Sequence, residues 1–201
     1  MKKFISSAFL LCFSLTLFAQ SPVLEILSNA KKDSPVKTDG TKAVAVLAGG
    51  CFWGVEDLLR KLPGVLNTDV GYAGGSSYTA KYSSVKTGTT EHAEAVRVVY
   101  DPTKVSYKEI LKYFFRLHDP TTLNRQGNDV GPQYRSAIFY IGEKQKEVAE
   151  KVIQEVDKSK KWKKPVVTKV VPFKGFYLAE DYHQDYLVKN PNGYTCHFLR
   201  E

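Results

Sequence analysis

In the stretch LAGGCFWGVEDLL a cysteine, Cys51, stands between a glycine pair and Phe-Trp-Gly, where a strand-like run gives way to helical spacing. A cysteine that only fills core needs no special backbone. Here Gly49 and Gly50 allow a tight strand-to-helix turn, so the thiol falls at or beside a helix N-terminus. The positive end of the helix dipole and its free N–H groups favour thiolate, and the thiol is expected to titrate below its ordinary value of about 8.5. Phe52 and Trp53 lay aromatic surface beside the sulfur. These features favour a nucleophile over a buried structural cysteine.

A second anomaly lies in HAEAVRVVY, where strand alternation puts Glu94 on the face of Val96, Val98 and Tyr100, opposite Arg97. A carboxyl on the buried face is costly to ionise, and desolvation would keep it protonated near neutrality, as a general acid must be. The other reading is a strand-end Glu turned to solvent. The loop NRQGNDVGPQYR brings Asp129 and Tyr134 to the mouth of a later strand, and GGSSYTAKY supplies Tyr78 and Tyr82. A loop of that length inside a compact domain is usually functional. Its tyrosines either present hydroxyls to a substrate oxygen or pack at the surface. His183, in AEDYHQDY, is more simply a structural histidine than a base. Cys196 follows the turn-forming Asn-Pro-Asn-Gly on a tail expected to swing. A thiol on a mobile tail and a thiolate at a rigid helix end form an attacking and resolving pair.

These residues need a scaffold. Strand-type runs are expected at Lys42–Ala48, Val65–Tyr72, Ala93–Tyr100, Tyr134–Ile141 and near Val166–Val171. Helical spacing starts at Phe52 and is stopped by Pro63-Gly64; it returns after a Ser106 cap, over Glu143 to about Lys160, and near Glu180–Lys189. The order β-α-β-β-α-β predicts a two-layer α/β sandwich with a ferredoxin-like core, extended by an added helix and strand and ending in the mobile tail. No metal-ligand spacing links the histidines at 92, 118, 183 and 197.

Size and charge narrow the classes. The 201 residues, 43% hydrophobic and 25% charged, suit one soluble domain. The net charge of +8 is spread out, and its densest run, KSKKWKK, sits where a helix should end, so no nucleic-acid partner is implied. MKK followed by FISSAFLLCFSLTLFA has the form of a secretory signal peptide cleaved after Ala19, and is too short for the roughly 18 or more apolar residues of a membrane span. Residues 1–19 are thus read as signal peptide, 20–41 as a linker or mobile arm and 42–201 as the domain, with the mature protein exported to the periplasm or secreted. Setting aside Cys12, two cysteines remain, and in an exported protein a structural disulfide between them is the plainest reading.

Three classes stay open on the chemistry. One is a thiol redox enzyme that forms a sulfenic acid at Cys51 and resolves it with Cys196. Another is a cysteine hydrolase pairing Cys51 with His92 or His183, which leaves Cys196 without a role. The third is an exported binding module with a static Cys51–Cys196 bridge.

From about Ala43 to the C-terminus, GGCFWGVE, GYAGG, HAEAVRVVYDP, QGNDVGPQYRSAIFY, FYLAEDYHQDYL and NPNGY closely resemble the A-type peptide-methionine sulfoxide reductases. The resemblance implies reduction of the S-epimer of methionine sulfoxide, free or in proteins, and with it repair of oxidised proteins. It implies Cys51 as nucleophile, Phe52 and Trp53 as the pocket for the substrate methyl group and Glu94 as the acid that protonates the sulfoxide oxygen. Tyr82 and Tyr134 would hold that oxygen, and Asp129 would be a polar substrate-binding residue. It further implies resolution by Cys196 and recycling by a thioredoxin-like reductant, with no metal or other cofactor, in a monomer. Many family members carry a glycine-rich tail with two further cysteines. This chain has one, after Gly-Tyr-Thr, which favours a two-cysteine cycle.

Overall fold

The computed structural model describes residues 41–201; the expected signal peptide and all but the last residue of the expected arm lie outside the described residues. The strands are β1 (Ala43–Gly49), β2 (Val65–Ala73), β3 (Ala93–Tyr100), β4 (Arg125–Gln126), β5 (Asp129–Val130), β6 (Ser136–Tyr140), β7 (Lys169–Pro172) and β8 (Phe176–Leu178). The helices are α1 (Phe52–Leu59), α2 (Tyr82–Val85), α3 (Tyr107–Leu117), α4 (Glu143–Lys158) and α5 (Tyr186–Lys189).

The main sheet runs β7-β6-β1-β3-β2-β8. Its inner four strands are antiparallel throughout, in the order of a ferredoxin-like core, with α1 and α3 as the crossovers. The expected α/β sandwich is therefore the observed one. Helices α1, α3 and α4 pack on one face: Val55, Leu59, Ile110, Phe114 and Val152 meet Leu47, Tyr72, Val96, Val98 and Ile138 in one buried cluster. Ala45 and Leu47 of β1 and Val96 and Val98 of β3, at alternate positions, supply the sheet side of that core. The other face is a thinner layer of Val44, Val46, Ala95 and Phe139, packed against Val171, Phe173 and Leu178. Helix α3 opens with the expected Ser106 cap: the Ser106 hydroxyl accepts from the Glu109 N–H while the Glu109 carboxylate accepts from the Ser106 N–H.

Several elements differ from expectation: the strand expected from Tyr134 begins at Ser136, α2 and the β4–β5 hairpin lie in segments expected as loops, and three further differences have a local reason. Strand β7 extends β6 in parallel from Lys169, not Val166, because the N–H of Val167 is given to the carbonyl of Pro120 at 2.8 Å. Strand β8, on the free edge of β2, was not anticipated; three residues are too few for a periodic signal. The helix expected over 180–189 shrinks to α5. The Gln184 side chain instead pairs with the backbone of Val70 in both directions at 2.9 Å, and Asp185 takes a left-handed φ of 55°.

Candidate active site

Cys51 caps the N-terminus of α1 at the carboxyl end of β1 and is only 6% exposed. Gly50, at φ 109°, makes the turn between them. The next strand over carries Glu94 on the helix-facing side, as alternation predicts, at 2% exposure. Its Oε2 accepts the N–H of Phe52 at 3.1 Å, so the carboxyl is tied to the residue that follows the thiol. Burial, with Asp129 adding to it and the Phe52 N–H opposing it, pushes the Glu94 carboxyl up to about 8. The acid form is therefore the main one at pH 7. With Oε2 occupied, the proton belongs on the other oxygen.

The expectation of a depressed Cys51 pKa is corrected. Burial, then the neighbouring Glu94, raise the thiol well above its ordinary value; Asp129 and Cys196 add to this, and the N–H of Trp53 only partly opposes it. Desolvation outweighs the helix terminus here. The resting pair is thus a neutral thiol beside a neutral acid.

Tyr82, at the start of α2, and Tyr134, in the turn before β6, come to this pair from two separate segments. Burial raises both hydroxyls, and in both the electrostatic influence of Glu94 comes next, with Cys51 further down. Their placement is built in. The Glu180 carboxylate accepts the Tyr82 N–H at 2.9 Å and the Tyr72 hydroxyl at 2.8 Å. Arg135 donates to the carbonyls of Glu91, His92 and Pro132, and Gln133 to that of Lys86, so the turn bearing Tyr134 is bound to both the start of β3 and the end of the Tyr82 helix. Tyr78, at 70% exposure, lies on the surface.

An aromatic wall flanks the thiol. Trp53 is half-buried, stacks on Tyr186 at 3.7 Å and 13°, and donates Nε1–H to Nδ1 of His183 at 3.1 Å. Phe52 is enclosed at 1% exposure and packs on the same histidine, its centroid 5.1 Å away. Tyr186 was missed in the sequence; the pair His183 and Tyr186, three apart in an aromatic cluster, was its only signal. Glu56 was also missed, although its place four residues after Phe52 on α1 put a second carboxyl on the buried side. It accepts from Thr68 and from the Asp185 N–H and pairs with Arg60 at 2.9 Å, which anchors the segment carrying Tyr186.

Asp129 sits on the β4–β5 hairpin and its Oδ2 accepts from the Cys196 thiol at 3.3 Å. The tail expected to swing is docked in this structure. His197 is 7% exposed and holds the carbonyl of Gly49 at 2.8 Å, while Arg200 and Arg116 exchange backbone and guanidinium hydrogen bonds. Cys51 and Cys196 are free thiols. Among the described residues no histidine hydrogen-bonds the Cys51 sulfur: His92 holds the Ser76 carbonyl, His118 the Phe114 carbonyl and Ser136, and His183 the Trp53 indole. The hydrolase reading lacks its base.

Fold and site together define a class: a two-layer α/β enzyme with a thiol, a buried neutral acid and two phenols around one point. The sequence matches the family described as peptide methionine sulfoxide reductase over residues 43–201, and the chain belongs to that family. A peptide methionine sulfoxide reductase MsrA of Mesorhizobium japonicum is 56% identical over 156 residues, covering 78% of this chain and 88% of that protein. The crystal structure of Mxr1 from Saccharomyces cerevisiae in reduced form superposes with a TM-score of 0.77 at 39% identity, covering 81% of this chain and 94% of that one. Mxr1 in complex with Trx2 is also similar, with a TM-score of 0.56 at 27% identity over 81% and 93% of the two chains.

Proposed function

We propose that this protein reduces the S-epimer of methionine sulfoxide, free or in oxidised proteins, with Cys51 as nucleophile and Glu94 as acid. The observation that carries the residue roles is the Glu94 carboxyl, neutral near pH 7 and fixed to the N–H beside the thiol. A sulfoxide oxygen is a poor leaving group until it is protonated, and a positioned acid typically contributes about 10²–10⁴-fold. Glu94 gives its proton to that oxygen while the Tyr82 and Tyr134 hydroxyls hold it. The Cys51 sulfur attacks the sulfoxide sulfur, its own proton returning to Glu94, and the S–S bond so formed breaks as the oxygen passes to Cys51. Methionine leaves and Cys51 is a sulfenic acid; one S–O bond is broken and one formed, so atoms and electrons balance. The substrate methyl group rests on Trp53, with Phe52 behind it, and Asp129 contacts the polar part of the substrate.

Cys196 then attacks the sulfenic sulfur to give a disulfide and water, and a thioredoxin-like protein reduces the disulfide. The family and the Mxr1–Trx2 complex support that kind of reductant, with no prosthetic group. The test is to offer separated epimers to the protein with dithiothreitol. Methionine is expected from the S form; turnover of the R form alone would overturn the reading.

The basic and apolar N-terminus supports export, with residues 1–19 removed and 20–41 as an arm before the domain. No described helix is long and apolar enough to cross a membrane. Protein isolated from its source is then expected to begin near Gln20, and sequencing that finds Met1 in a soluble cytosolic fraction would rule export out.

A further inference from the structure

The proposed cycle needs Cys196 to become a nucleophile, yet its surroundings resist that. Burial, with the Asp129 carboxylate next, pushes the Cys196 thiol up to about 12. Some group must take the proton as the sulfur attacks.

His197 is built into the position to do so. Its Nε2 lies 2.8 Å from the Gly49 carbonyl oxygen, which can only accept, so Nε2 carries the hydrogen and Nδ1 keeps a lone pair. That Nδ1 lies 3.5 Å from the Cys196 sulfur. The ring is seated against the turn that bears the nucleophile. A Cβ on Gly50 would come within 3.0 Å of Nε2, and one on Gly54 within 2.6 Å of Nδ1. Gly50 and Gly54 therefore make room for this imidazole together with the Gln126 and Thr195 side chains, and the tail thiol is thereby held at the Cys51 end of the helix. At 7% exposure and with burial lowering its pKa, His197 is neutral at pH 7 and able to accept a proton.

Resting on the Cys196 role above, we propose that His197 is the catalytic base of the resolving step, taking the Cys196 proton as that sulfur attacks Cys51. The S–S bond forms while the Cys51 S–O and Cys196 S–H bonds break. The hydroxyl leaves as water with a proton from Glu94, and the proton on His197 passes to solvent, from which Glu94 is reloaded. The Cys51 sulfur is reduced and the Cys196 sulfur oxidised by one step each. Asp129 also reaches the thiol, at 3.3 Å against 3.5 Å for His197, but a proton moved to it leaves a thiolate beside a neutral acid, whereas a proton moved to His197 forms an imidazolium beside the Asp129 carboxylate. The charged and titratable groups acting on His197 are Asp129, Arg200, His118 and the thiol itself.

His197→Gln separates holding from proton transfer, since a glutamine amide can still donate to the Gly49 carbonyl but is not a base. In a single turnover with S-methionine sulfoxide and no reductant, the variant is expected to release methionine at the wild-type rate. It should close the Cys51–Cys196 bridge about 10²-fold more slowly, with a sulfenic acid that dimedone traps and mass spectrometry locates at Cys51. In the wild type the closing rate should fall as pH is lowered through the imidazole titration, and that dependence should be absent in the variant. Closure by His197→Gln at the wild-type rate overturns the assignment to His197. Loss of closure in Asp129→Asn but not in His197→Gln moves the base to Asp129. A wild type that releases methionine and never closes the bridge refutes the Cys196 reading itself.

Discussion

Cys51→Ser is expected to form no methionine, whereas Cys196→Ser is expected to form about one methionine per enzyme and then stop. The difference follows from the order of steps. Oxygen transfer to Cys51 uses Glu94, Tyr82 and Tyr134 and not the tail thiol, so removing that thiol leaves the first turnover intact. A thioredoxin-type reductant attacks a disulfide, and without Cys196 none forms, so continuous turnover with that reductant should fall to background. Small thiols that reach the sulfenic acid directly should restore part of it. The measurements are methionine released in one turnover, steady-state rate with the protein reductant, and the mass of the wild type after substrate alone, which should show a Cys51–Cys196 link. Normal cycling of Cys196→Ser with the protein reductant would make the tail thiol incidental.

Glu94→Gln should lower turnover by on the order of 10²–10⁴-fold while leaving Cys51 open to alkylation. The amide oxygen can still accept the Phe52 N–H, so the local structure is kept and only the proton is lost. The Glu94 charge is also one cause of the raised Cys51 thiol, so alkylation should be as fast as in the wild type or faster at alkaline pH. The folded carboxyl is raised from 4.5 to about 8, so the acid form is present below that value and is lost as pH rises through it. The wild-type rate of sulfoxide reduction is expected to fall across that limb, and the limb should be missing in the variant. Stability has the same sign: the unfolded chain gives up this proton first, so folding loses stability between about pH 4.5 and 8. Glu94→Gln should therefore raise the melting temperature at pH 8 and leave it nearly unchanged at pH 4. An unchanged rate near neutrality would remove Glu94 from the mechanism.

Much of this was written in local pattern. Alternation over Ala93–Tyr100 placed Glu94 on the core side, and the structure shows it there beneath α1. Gly-Gly-Cys at a change of period placed the thiol at a helix start, and the capping pair Ser106 and Glu109 marked the start of α3. The strand and helix order was sufficient for the ferredoxin-like core, because the right-handed crossover leaves few ways to pair those strands.

What remained needed distance in three dimensions. Whether the helix dipole or burial governs Cys51 depends on how deeply Glu94, Asp129 and the tail enclose it, and no window of sequence holds all three. The docking of the tail rests on a histidine at 197 meeting a carbonyl at 49, a contact with no periodic signature. The same holds for Gln184 completing the edge of β2 and for Tyr186 stacking on Trp53. The sequence by itself determined which residues can donate, accept or attack, and which strand face each occupies, since those follow from residue type and a repeat of two or 3.6. Only the tertiary structure decided their protonation and their partners, because desolvation and hydrogen bonding depend on every group packed around a site, however far apart in the chain.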